Sequence, residues 1–141
     1  MAQMAASPIE GGVYGFGRRL GVPYEQAVER VKAALKSQGF GILAEIDVKK
    51  TLKEKLGAEF RPYVILGACN PPLAHRAFSA DLDVGLLLPC NVVVYAEGEE
   101  ASVVRIMDPQ VLMSVAKNDE LVPLATEVRG RLEKALLALE G

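Results

Sequence analysis

Two apolar, β-rich runs, Asn91 to Ala96 and Ser102 to Met107, stand on either side of Glu97-Gly98-Glu99-Glu100. A short polar loop carrying a glycine between two such runs is a hairpin signal. Strands joined this tightly pair antiparallel, because a parallel connection needs a crossover of a dozen or more residues. The hairpin therefore excludes a purely parallel sheet. The rest of the chain alternates strand and helix, a pattern that alone would permit a doubly wound α/β fold. The first strand, Val13 to Leu20, carries Gly15 and Gly17 and is too irregular for the interior of a parallel sheet. Its glycines point to a bulge or a close backbone approach. We therefore expect an α+β domain with a mostly antiparallel sheet of about five strands and its helices mainly on one face.

The remaining elements follow from periodicity. Pro23 suits a first helical position, and Ala27, Val28, Val31, Ala34 and Leu35 recur at helical spacing up to the capping Gly39. Phe40 to Val48 alternates as a strand with one apolar face. Asp47 then caps a helix that ends at Gly57. Val64 to Ala68 is a continuous apolar run, which predicts a central strand buried on both faces. Asn70-Pro71 opens a helix to about Ala80, and Asp81 to Gly85 is a connection. Leu86 to Tyr95 is a second apolar strand broken at Pro89, with its regular part at Asn91 to Ala96. Asp108-Pro109 opens a short helix, and a last helix carries an apolar stripe from Leu121 to Leu139. Gly130 is a soft spot in that helix, costing about 1 kcal/mol against alanine.

At 141 residues one domain is expected, over residues 12–141, with residues 1–11 as a flexible tail. A net charge of −2 leaves no basic footprint for a nucleic-acid backbone. The apolar runs are too short to span a bilayer, and no signal-peptide core precedes the domain. Two cysteines do not make a disulfide framework, so a cytoplasmic protein with reduced thiols is expected.

Both cysteines and the single histidine fall between Tyr63 and Tyr95. Cys69, His75 and Cys90 have the ligand chemistry for a zinc site, although Cys-x5-His is not a standard spacing and no Cys-x-x-Cys is present. The same residues also fit thiol chemistry. Cys69 adjoins a helix N-terminus, whose partial positive charge lowers a thiol pKa, and His75 is placed to act as its base. Equally, the cysteines read as small buried hydrophobes and His75 as an ordinary helix residue. Asn70 and Asp108 mark two helix N-termini whose free N–H groups would favour an anion, but each also reads as a plain cap. The regular stripe of the last helix suits both a covered face and a dimer seam.

Several of these motifs together resemble the bacterial and archaeal domain-of-unknown-function family 302. They are Gly39-Phe40, Glu45-Ile46-Asp47-Val48, Cys69-Asn70-Pro71, Leu88-Pro89-Cys90-Asn91 and Asp108-Pro109. The resemblance runs from about Tyr14 to Leu139. Gly67 to Ala77, with its Cys-Asn-Pro and Ala-His-Arg steps, is similar to one subgroup. The broader family has Gly-Asn-Pro there, so Cys69 and His75 carry no role common to all members. The resemblance implies a curved sheet with helices behind it, similar to the TATA-binding-protein-like topology, and implies no activity. A shared topology is no argument for a shared ligand.

The expected function is a small-ligand-binding or accessory module, acting as a homodimer, with no nucleic-acid or membrane partner and no cofactor assigned. Its site is expected near Cys69, Asn70, His75, Cys90 and Asp108. The alternatives are a Cys/His enzyme or thiol sensor using Cys69, and a metal-binding protein using Cys69, His75 and Cys90.

Overall fold

The computed structural model describes residues 7–139. In chain order the strands are β1 (Glu10–Gly11), β2 (Gly15–Leu20), β3 (Gly41–Asp47), β4 (Tyr63–Cys69), β5 (Cys90–Ala96) and β6 (Ser102–Met107). The helices are α1 (Tyr24–Ser37), α2 (Val48–Leu56), α3 (Pro71–Ala80), α4 (Pro109–Ala116) and α5 (Val122–Leu137). Short 3-10 helices cover Leu82–Leu87 and Asp119–Leu121.

The hairpin forms as expected, with Ala96 opposite Ser102 and Val92 opposite Ile106. All six strands join one open sheet in the order β1-β2-β6-β5-β4-β3, and every neighbouring pair is antiparallel. The sixth strand is β1, two residues that pair with Gly17 and Phe16 inside the segment read as a tail. Ser7 is tied to the same edge, donating its backbone N–H to the Arg19 carbonyl at 2.9 Å. Residues 1–6 of the expected tail lie outside the described residues.

One face of the sheet holds the core. Phe16, Leu20, Leu66, Val92, Val94, Val104 and Ile106 meet Ala27, Val31 and Leu35 of α1 and Leu132, Ala135 and Leu136 of α5. The stripe of α5 is thus covered within the chain rather than left as a dimer seam. Arg18 shares that face and donates to the Leu136 carbonyl at 2.9 Å, which also accepts the Leu139 N–H at 3.2 Å, so the end of α5 is tied to the sheet. The other face is partly open. Tyr63 and Tyr95 are cross-strand partners there, with rings stacked 5.3 Å apart at 7°.

Three local expectations change. β4 buries Val64, Leu66 and Ala68 on its helix-facing side; on the alternate positions Gly67 is buried, but Tyr63, Ile65 and Cys69 are only half-buried. β3 does not bury an apolar face. It is the outermost strand, and a bulge between Ile42 and Ala44 breaks its alternation, leaving Leu43 and Ile46 exposed. Finally, the expected connection after Asp81 is a 3-10 helix that Asp81 itself caps, accepting from the Asp83 N–H at 2.9 Å.

Candidate functional site

At the Cys69 and Cys90 end of the sheet the helices do not close over the strands. A cavity of about 270 Å³ remains between the strand ends, α3, the Leu82–Leu87 turn, α4 and the start of α5. Its wall is apolar: Phe40, Leu73, Phe78, Leu88, Met113 and Leu124 are representative. Among the described residues no Lys, Arg, His, Asp or Glu lines it. Its polar side chains among the described residues are the two thiols, Cys69 and Cys90, and the Asn70 amide.

The sequence explains how these three residues meet. Cys69 ends β4 and Cys90 opens β5, and the register sets Ala68 opposite Cys90, so the two strands deliver both thiols to the same end. Asn70 follows Cys69 and is extended, as the residue before a proline must be. It caps α3, its Oδ1 accepting from the Leu73 N–H at 3.3 Å, while Nδ2 donates to the Gln38 carbonyl at 3.5 Å. Asn70 is 7% exposed. Its neighbour across the gap is Gly39, at φ +84°, where a Cβ would lie 2.9 Å from Nδ2. Glycine at 39 therefore serves two needs: the left-handed end of α1 and room for the Asn70 amide.

Burial raises both thiol pKa values. Cys69 is pushed up by desolvation, against the direction expected from its place beside a helix. Cys90 is pushed up to about 11, first by desolvation and then by Cys69. Both cysteines are free thiols, and at neutral pH they are protonated weak donors rather than nucleophiles. The linkage has a defined sign. A thiol whose pKa rises from 9.0 unfolded to about 11 folded adds stability below pH 9, and that stability is lost as pH rises to 11. Two pKa units correspond to roughly 2–3 kcal/mol. Denaturation of wild type should therefore steepen between pH 9 and 11, and Cys90→Ala should flatten that part of the profile. A variant profile parallel to wild type would refute the assignment.

His75 does not join the thiols. It sits exposed on the outer side of α3, beside Arg76, Ser79, Glu120 and Pro123. Among the described residues no three His, Cys, Asp or Glu side chains converge to hold a metal ion. The Cys69, His75 and Cys90 triad expected for a metal site is not assembled, because the helical turn that carries His75 points its side chain away from the strand ends. Asp108 also lies outside the cavity wall. Its carboxylate accepts from the Gln110 N–H at 2.9 Å and pairs with Arg129, whose guanidinium lies 4.7 Å from the Phe16 ring centroid and bonds Glu133 at 2.8 Å. Asp108 is a cap and an ion-pair partner.

Neither helix N-terminus beside the cavity offers free donors. In α3, Pro71 and Pro72 have no N–H, the Leu73 N–H goes to Asn70 Oδ1, and the Ala74 N–H goes to the Asn70 carbonyl at 2.8 Å. In α4, Pro109 has none, and Gln110 and Val111 donate to Asp108. An anion would find no unpaired amide at either terminus.

Sequence reasoning missed most of the wall. Phe78, Leu112 and Met113 line the cavity, yet none is among the candidate site residues the sequence offers. A signal was present: α4 reads Pro-Gln-Val-Leu-Met-Ser-Val-Ala, apolar over more of its surface than one core-facing stripe needs.

A family model described as Domain of unknown function DUF302 matches residues 16–139. Among solved structures, the crystal structure of an uncharacterized conserved protein DUF302 from Bacillus stearothermophilus aligns with a TM-score of 0.80 at 32% identity, covering 89% of this chain and 97% of that one. No curated protein matches the chain.

Proposed function

The chain belongs to the DUF302 family, and from that premise we propose that it is a small-ligand-binding module whose site is the cavity beside Cys69, Asn70 and Cys90. The observation that carries this reading is the apolar wall around about 270 Å³ of space. Ligand sites are typically concave, mainly apolar and marked by a few polar groups. An apolar cavity of roughly 150 Å³ holds a benzene ring, so this one has room for about two fused rings or a medium alkyl chain. The raised thiol pKa values, and the place of His75 outside the cavity, favour binding over thiol catalysis.

Titration with the neutral dye N-phenyl-naphthylamine tests the reading. Saturable fluorescence enhancement at one site per chain is the expected result. A linear, unsaturable response would remove it.

We propose further that the protein is a homodimer in a reducing, cytoplasmic setting. Two free thiols suit such a compartment. Leu82 and Leu86 support self-association: they are 84% and 87% exposed and stand on the turn that walls the cavity. Light scattering should give twice the chain mass for wild type and the single mass for Leu86→Asp. A wild-type monomer at high concentration would overturn the dimer.

A further inference from the structure

We infer that the ligand of this cavity is uncharged and carries a hydrogen-bonding oxygen that pairs with the Asn70 side chain; the inference rests on the cavity being a ligand site. Three observations lead to it. First, among the described residues the wall has no ionisable side chain other than the two thiols, and burial holds both of those protonated at neutral pH. A carboxylate, phosphate or ammonium entering the cavity would lose its hydration and meet no counter-charge, which costs several kcal/mol or more.

Second, the N-termini of α3 and α4, both of which reach the cavity, are already satisfied. Prolines remove the first donors, and Asn70 and Asp108 occupy the next ones. These two termini therefore supply no oxyanion site to make up for the missing side-chain charge.

Third, Asn70 keeps unused capacity. A primary amide has two N–H donors and two acceptor lone pairs. Among the described residues, Gln38 and Leu73 take one of each. One N–H and one lone pair remain on a side chain that lines the cavity and is 7% exposed. A hydroxyl or carbonyl oxygen on an otherwise apolar ligand would use that capacity. The ligand class is thus a neutral alcohol, phenol or ketone with an apolar body of about two rings.

The test uses the full chain and three probes of one shape, naphthalene, naphthol and naphthoate, each displacing N-phenyl-naphthylamine at pH 7. Naphthol is expected to bind at least tenfold more tightly than naphthoate, which is ionised at that pH. The Asn70 contribution is read from a cycle with Asn70→Ser, which keeps a capping oxygen for α3. The factor by which the substitution weakens naphthol, divided by the factor for naphthalene, cancels differences in solubility and general packing. It is expected to be about fivefold, the size of one net hydrogen bond. Naphthoate binding as tightly as naphthol, or a cycle factor of one, overturns the inference while leaving the cavity as an apolar site. Failure of all three probes to displace the dye from a folded protein overturns both.

Discussion

Gly17→Ala is expected to lower the unfolding free energy by about 4 kcal/mol or more, the range reserved for severe steric or core defects. Gly17 lies opposite Arg105 in the β2–β6 ladder. A Cβ built on it would sit 2.0 Å from the Val104 carbonyl oxygen and 2.9 Å from the Arg105 Cα. Both are backbone atoms of the neighbouring strand, so no rotamer change relieves the overlap. The strands would have to separate, and β2 brings Phe16 and Leu20, each no more than 2% exposed, into the core. Gly130→Ala is the matched control. Nothing lies within 4 Å of its added Cβ, and the site is an exposed position inside α5, so the variant should gain about 1 kcal/mol through helix propensity alone. Urea denaturation of the two variants measures both. A Gly17→Ala protein within about 1 kcal/mol of wild type would mean that β2 does not approach β6 this closely.

Filling the cavity should abolish ligand binding without unfolding the protein. Ala74 on α3 is half-buried and lines the cavity but belongs to neither buried cluster. Ala74→Phe adds a ring to a space that accommodates one, and occupies the volume a ligand needs. Affinity for N-phenyl-naphthylamine is expected to fall at least tenfold. Stability is expected to stay within about 1.5 kcal/mol of wild type, because the new ring enters a void and does not displace packed neighbours. Fluorescence titration and a denaturation curve on the same sample separate the two effects. Unchanged dye affinity in a folded Ala74→Phe protein would place the dye elsewhere, for example on the open sheet face beside Tyr63 and Tyr95.

Much of the fold was legible because its signals are local. Asn70, Asp47 and Asp108 cap the helices their positions announce, each accepting a backbone N–H two or three residues on. Gly57 ends α2 in the left-handed conformation, at φ +66°. The close approach implied by Gly15 and Gly17 is present. The misreadings have two causes. β3 has the alternation of a half-buried strand but lies at the sheet edge, where burial depends on what packs against it rather than on its own pattern. The two-residue β1 was invisible because a strand that short carries no periodicity at all.

The candidate site divides along the same line. From the sequence alone came the Tyr63–Tyr95 stretch as the place of the candidate site, together with the α+β class, the antiparallel hairpin and the capped helices. These are consequences of spacing, backbone preference and turn chemistry, all carried within a few residues of chain. Tertiary structure alone decided that Cys69, Asn70 and Cys90 share one cavity while His75 faces outward and Asp108 is tied to Arg129. It also decided that the thiols are protonated, because a pKa follows from the burial around a group and not from its sequence neighbours. The cavity itself has no sequence signature. It is the volume left where α3, α4 and α5 meet the strand ends, and such a remainder is set by how whole elements pack.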